Sequence, residues 1–400
     1  MKQTLLILTF ILGGLIPVKA QITAPSFGKG VQIMGKDSSY FMKIGLRFQT
    51  LALAEWSLAD EAEGYASDFN SSAMIRRSRM KFDGWAFNPK LKYKLELALS
   101  NRDNGGGNSD DFGYAANIIL DAVLEFNFYR KFSVKFGQGK LAGNRERVIS
   151  SGNLQFVDRS RLNSRFNLDR DLFIQLKHHH TFGREFLLRS SVSMALGEGK
   201  NQITGDHGGY GYTYRLEFLP FGKFKSKGDY VGSAVKREIK PKLAIGLTYD
   251  NNNNSFRERG QLGRFLSDKA EVFTAKDLNS FIADLMFKYQ GISIMFEYVD
   301  RATSDDDPFV FDDENNQIGT YYTGSAFNIA AGYMFKNNIE IAARLTEVSA
   351  DTSTDETHYT IGLNKFFVGH KLKIQMDYSI IDRADSQNSN LWRTQVDIHF

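Results

Sequence analysis

Polarity alternates residue by residue along almost every apolar stretch of this chain. In "LKYKLELAL" (91–99), Leu91, Tyr93, Leu95, Leu97 and Leu99 share one side, and Lys92, Lys94 and Glu96 share the other. "KLKIQMDYSI" sets Leu372, Ile374, Met376, Tyr378 and Ile380 against Lys371, Lys373, Gln375, Asp377 and Ser379. "KFSVKFG" (131–137) and the closing "LWRTQVDIHF" repeat the pattern. A period of two over such lengths describes a strand with one apolar and one polar face. Strands are expected near 40–54, 74–87, 90–100, 117–128, 131–138, 170–178, 186–196, 209–219, 241–250, 278–289, 292–300, 324–335, 339–348, 357–367, 371–381 and 391–400, about sixteen in all.

The links between them alternate as well. Asn88-Pro89, Tyr129-Arg130 and Gln290-Gly291 are minimal turns, whereas 55–73, 101–116, 139–169, 251–277 and 301–323 are long and polar. Segment 220–240 breaks the order: a short link is expected there and a long one is found. Long links at one end and tight turns at the other are the signature of a transmembrane antiparallel β-barrel. In lipid every backbone N–H and C=O needs a partner within the protein, so the sheet must close and its last strand must pair with its first. The expected fold is therefore all-β, with long external loops and short periplasmic turns.

The N-terminus is consistent with export. Lys2 precedes an apolar run from Leu5 to Ile16, and Val18-Lys19-Ala20 offers a small-residue cleavage site. Residues 1–20 are expected to be a cleaved signal peptide, 21–39 a short periplasmic segment and 40–400 the barrel. Cysteine is absent, which excludes disulfides, thiolate metal sites and cysteine nucleophiles. Two of the 50 Lys and Arg lie in the leader, leaving 48 against 46 Asp and Glu. A net balance so near zero carries no information about partners, and no nucleic-acid partner is expected.

With apolar positions facing lipid, their alternates line the lumen. These are Lys43, Arg47 and Gln49 on the first strand, Arg77, Arg79, Lys81 and Asp83 on the second, and Lys135 on the fifth. Later strands add Arg344, Lys373 and Arg393 beside Glu297, Glu340, Asp377 and Asp397. The first five strands thus give a cationic wall, and such rings favour anions in a narrow aqueous pore. The alternative is a wide pore in which these charges are solvated or paired across the lumen. The long basic segment 139–169 carries Lys140, Arg145, Arg147, Arg159, Arg161 and Arg165 among Leu141, Val148, Ile149, Leu154, Phe156, Leu162 and Phe166. Its apolar residues argue for ordered packing. Either it folds into the lumen, or it lies on the surface where its arginines meet lipopolysaccharide or a neighbouring subunit.

"MIRRSRMKFDGWAFNPKLKYKLELALSNRD" followed by "GNRERVISSGNLQFVDRSRLNSRFNLDRD" resembles the phosphate-selective porin O and P family, in the form common among Bacteroidetes-type bacteria. The resemblance implies a sixteen-stranded outer-membrane barrel of a Gram-negative cell, typically a homotrimer. It also implies a central anion site built from arginines of the first two strands with help from an inward-folded third loop. The matching positions here are Arg47, Arg76 and Arg77, with Lys140, Ser150 and Ser151 as loop candidates. Counting back from Phe82 and Met80, strict alternation turns Arg76 toward lipid. The expected function is passive diffusion of small anions, phosphate among them, through a basic constriction, with no cofactor and no enzymatic chemistry. The alternatives are a non-selective porin, an outer-membrane barrel enzyme, or a plugged structural barrel. No hydrolase motif surrounds any Ser. His178-His179-His180 and the acidic stretch 304–316 read as a turn and a solvated loop rather than metal sites.

Overall fold

The computed structural model describes residues 21–23, 26–58, 66–104, 118–202, 209–266, 275–312, 314–384 and 386–400. The expected leader, 1–20, and the glycine-rich tip at 105–110 lie outside the described residues. The long strands are β1 (Tyr40–Leu58), β2 (Ala66–Ala86), β3 (Leu91–Ala98), β4 (Ile119–Tyr129), β5 (Phe132–Lys140), β6 (Arg170–Phe182), β7 (Phe186–Ala195) and β8 (Gly211–Leu219). They continue with β9 (Lys242–Ser255), β10 (Lys276–Tyr289), β11 (Ile292–Thr303), β12 (Gly324–Met334), β13 (Ile339–Ala350), β14 (Ser353–Phe366), β15 (Leu372–Arg383) and β16 (Ser386–His399). Sequential neighbours pair antiparallel throughout, and β16 closes on β1 from Ser389↔Ser57 to His399↔Arg47. Most ends sit within a few residues of those the alternation gives. The His178–His180 run is a correction: it belongs to β6 rather than to a turn. Its outer rings stack in a row, with His178 4.3 Å from Phe132 and His180 4.5 Å from Phe182.

The wall is inverted relative to a soluble fold. Leu46 and Phe48 on β1, Leu124 and Phe126 on β4, Ile174 and Leu176 on β6, and Ile361 and Leu363 on β14 are exposed. Arg47, Gln49, Glu340, Lys373, Gln375, Gln395 and Asp397 are buried. Burying charges while exposing aliphatics is stable only where the outer solvent is lipid and the inner face is polar.

The seam is finished by the N-terminus. Below the last ladder pair of β16, the short strand Val31–Met34 takes over as partner of β1, from Val31↔Ile44 to Met34↔Phe41. The Phe400 amide donates to Leu46 O at 2.8 Å. Its ring sits 5.9 Å from that of Phe27 and 6.3 Å from that of Phe48. The terminal aromatic thus closes the joint between the first strand, the last strand and the N-terminal segment.

Two segments fold into the lumen and fill part of it. Segment 141–169 leaves β5, folds inward and forms the helical turns Arg145–Val148 and Arg161–Arg165. Its Leu141, Leu162, Phe166 and Leu168 pack on Phe173, Ile282, Val299, Ala326 and Val348, which all point inward. These wall positions break the polar-in rule because they receive the loop. From the opposite, short-turn end, segment 220–241 rises into the barrel. Phe224 and Tyr230 meet Ile149, Leu154, Leu187, Met286 and Met295. The two segments touch where Gly232 N donates to Asn153 O at 2.7 Å. A Cβ at Gly232 would stand 2.6 Å from Gln155 N, so only glycine permits this approach. This packing accounts for the one link whose length broke the alternation. At the long-loop end, by contrast, β13–β14 and β15–β16 are joined by very short links, tighter than the sequence implied.

Arg145 ties the two inward segments to the wall. Its Nε donates to Asp284 at 2.6 Å and its Nη2 to Glu217 at 3.3 Å, while Nη1 reaches Asp229 O at 3.0 Å. The guanidinium also lies 5.0 Å from the Tyr230 ring centroid. Removing one partner of a buried ion pair strands the others. Arg145→Ala is therefore expected to cost about 3 kcal/mol. It should lower the unfolding temperature in detergent and raise single-channel conductance as the loop loosens.

Candidate functional site

The inward segments pack on β6–β13, the loop tip is also bonded to β14 and β15, and open space remains above the loop. A cavity of about 580 Å³ opens toward the long-loop end. Its wall comes from β1, β2, β4–β6 and β13–β16, and its floor from the inward loop. Thirteen Arg and Lys line it against five Asp and Glu, so its field is positive. A smaller cavity of about 190 Å³ continues past the loop and shares Arg79, Lys140, Ser151 and Arg170 with the first.

The arginines of β1 and β2 converge because of register. Arg47 lies opposite Arg79, and Gln49 opposite Arg77. The next pair is Thr50 with Ile75, so Arg76 is the extra residue of a β-bulge. This corrects the outward orientation that strict alternation gives Arg76. The bulge brings two consecutive side chains, Arg76 and Arg77, to the same cavity.

Each guanidinium has a defined set of partners. Arg47 grips Asp397 of β16 with Nε at 2.8 Å and Nη2 at 2.7 Å, and donates from Nη1 to Ser151 Oγ at 2.7 Å. Arg77 donates to Gln49 Oε1 at 2.7 Å and to Asp158 at 3.1 Å. Arg76 reaches both oxygens of Asp158, at 3.2 and 3.1 Å. Arg79 is bidentate on Asp103, at 2.7 and 2.9 Å, and also meets Glu96 at 3.0 Å and Ser151 Oγ at 3.3 Å. Ser151 is thus the hydroxyl shared by Arg47 and Arg79 at the narrow passage. Burial would push the Asp158 carboxyl up, but the charges of Arg77 and Arg76 outweigh it and hold the group well below the usual carboxylate range.

Of the other sequence candidates, Lys140 lines both cavities while its ammonium grips the loop carbonyls of Arg147, at 2.6 Å, and Ile149, at 3.3 Å. Arg147 lines the larger cavity and is bidentate on Asp169, with Nε at 2.8 Å. Ser150 and Lys135 line the smaller cavity. The Lys135 ammonium lies 5.0 Å from the Phe173 ring centroid. Four residues depart from expectation. Arg145 is fully buried among the inward segments and lines neither cavity, and two carboxylates and a carbonyl take up its donors. Lys43 and Lys81 stand lower on the wall, toward the short-turn mouth, with Lys81 paired to Asp83 at 2.9 Å. Arg47 is turned back onto Asp397 and lies behind the larger cavity rather than in it.

Sequence reasoning did not single out Asp103, and it named Asp158, Arg159 and Arg170 only as members of the basic segment, not as site residues. Arg159 donates only to the loop carbonyls of Glu146, Arg147 and Ile149. Among the described residues, Arg102, Lys140, Arg159, Lys200 and Arg383 line the cavity with no carboxylate within 4.0 Å. Two of these, Lys140 and Arg159, are held by carbonyls instead, and the excess of cations over carboxylates sets the sign of the field.

A closed barrel with an apolar belt, a polar lumen and a loop folded in to narrow it is a porin of the Gram-negative outer membrane. The chain belongs to the phosphate-selective porin O and P family, whose profile matches residues 56–398. No curated protein matches it. Among solved structures, it is similar in fold to the outer membrane channel DcaP of Acinetobacter baumannii (12% identity, TM-score 0.53, covering 92% of this chain and 99% of that one). It is also similar to the trimer form of OmpT, an outer membrane protein of Vibrio cholerae (13%, TM-score 0.51, 90% and 99%). A third likeness is OmpF of Salmonella typhi in complex with daunomycin (11%, TM-score 0.52, 90% and 98%).

The cavity potential is open to a chemical test, because the chain has no cysteine. Ser164 is exposed at the cavity. A thiol introduced as Ser164→Cys should react at least about tenfold faster with an anionic methanethiosulfonate than with a cationic one of equal size. High salt should narrow the difference.

Proposed function

We propose that this porin passes small anions, with phosphate as the best fit, by passive diffusion along the basic side of its lumen. The excess of Arg and Lys in the cavity above the inward loop carries this reading. An anion enters from outside, exchanges hydration for guanidinium and ammonium donors, and crosses the narrow passage beside Arg79 and Ser151. It continues past Lys135 and then past Lys81 and Lys43 toward the periplasm. Arginine presents a planar fork matched to the oxygens of phosphate and carboxylate, which a halide cannot use in full. Transport needs binding strong enough to draw the ion in and weak enough to let it leave. The carboxylates beside Arg77 and Arg79 provide that moderation. A homotrimer is the proposed assembly, in line with the trimer form described for OmpT.

Planar-bilayer reversal potentials under a salt gradient test the reading. The wild type should prefer anions. Arg77→Ala combined with Arg79→Ala should cut the anion-to-cation permeability ratio several-fold, on the order of 1 kcal/mol of barrier. Cation preference in the wild type, or an unchanged ratio in the double variant, would refute it. Arg47→Ala should move selectivity less, because Arg47 lies behind the cavity, and should instead lower thermal stability by leaving Asp397 short of a partner.

A further inference from the structure

We propose that Asp158 is a tethered counter-anion. Its carboxylate occupies the Arg76–Arg77 pair between passages, and a permeant tetrahedral oxyanion crosses this point by displacing it. The inference rests on reading the barrel as an anion pore, and it names the residue that sets how tightly that pore holds its cargo.

The wall arginines are not neutralised alike. Arg47 is clamped by Asp397, and both belong to strands of the wall. Arg79 has Glu96 of β3 as well as Asp103. Arg76 has Asp158 as its carboxylate partner, at 3.1 Å. Arg77 meets Asp158 at 3.1 Å and Asp103 only at 3.9 Å. Asp158 and Asp103 both come from loops. Among the arginines of β1 and β2, the pair that the β2 bulge turns into the cavity is therefore the one without a strand-borne carboxylate.

Asp158 is built to release its carboxylate while its backbone stays put. Arg344 Nη1 donates to its carbonyl at 3.0 Å, and the preceding Val157 N donates to Asp377 at 3.0 Å. The side chain is 23% exposed and lines the 580 Å³ cavity, so a turn about its side-chain bonds carries the carboxylate into that space. The arginine pair meanwhile holds unused capacity: the Nε of Arg76 and the Nε of Arg77 are buried without an acceptor. A carboxylate offers two oxygens in one plane. A phosphate or sulfate offers four at tetrahedral angles and can meet Nη and Nε donors together. Chloride can do neither, so the oxyanion is the stronger competitor for the pair. Once displaced, Asp158 stands beside the bound ion as a like charge and drives its departure.

The competing role for Asp158 is that of a strut holding the inward loop to β2. Bilayer recording of the full-length protein separates the two, with chloride current titrated by inorganic phosphate. Wild type, Asp158→Asn and Glu55→Gln are compared. Glu55→Gln removes an equal charge from the same cavity, outside the arginine pair's hydrogen-bond set. Asp158→Asn should lower the half-blocking phosphate concentration by roughly tenfold, the loss of one competing charge-assisted contact. Glu55→Gln should shift block by less than about twofold. An unchanged or higher half-blocking concentration in Asp158→Asn overturns the proposal, as does an equal shift in Glu55→Gln. Raised conductance with weakened selectivity in Asp158→Asn would mark a strut and overturn it too. A wild type that neither prefers anions nor is blocked by phosphate would topple the underlying pore reading, and this inference with it.

Discussion

Backbone hydrogen bonding in a solvent that offers none is the constraint on which this molecule depends. Each strand must satisfy its amides and carbonyls from its two neighbours, and the set is complete only when β16 meets β1. That requirement sets the order of everything else. Strands must be long and regular. The chain must return to its starting edge, and side chains must alternate between two unlike media. The N-terminal strand Val31–Met34 and Phe400 finish the seam where β16 runs out.

Inside this wall the protein assembles a second, smaller structure. The inward loop and segment 220–241 approach from opposite ends and share an apolar core with inward-facing Ile282, Met286, Met295 and Val299. Polar contacts then lock the loop tip to the wall. Glu340 accepts from Gln155 at 3.0 Å, from Ser233 and from Asn364, while Gln375 and Asn364 bind the Gln155 carbonyl at 2.9 and 2.8 Å. Buried polar networks of this kind are costly unless every member is satisfied, and they then hold a single arrangement. The loop tip is thus bonded to three strands of the wall.

The wall was legible in the sequence because period-two alternation and link lengths are local signals that need no tertiary knowledge. All the long strands were found in this way, and so was the cationic side built by Arg77 and Arg79. The interior was not legible, because it depends on which loop meets which wall. Arg145 reads like its neighbours Arg147 and Arg159, yet only its place against Asp284 and Glu217 makes it an anchor. Arg76 was misplaced because a bulge inserts one residue without leaving a mark in the polarity pattern. Ile282 and Met286 share a face with Ser280, Asp284 and Lys288, and nothing local in the sequence says which loop covers them. The resemblance to the porin family did point to Arg76, because it carries positions rather than periodicities.

The close approach at Gly232 has a wider consequence. With two segments packed inside the bore, the calibre of the opening no longer follows from the number of staves in the cylinder. It follows from a few dozen residues of upholstery, which evolution can trim or pad while the load of membrane insertion stays on an unchanged frame. Relatives with the same barrel can therefore differ widely in what they admit, and the differences will be written in the furnishings rather than in the wall.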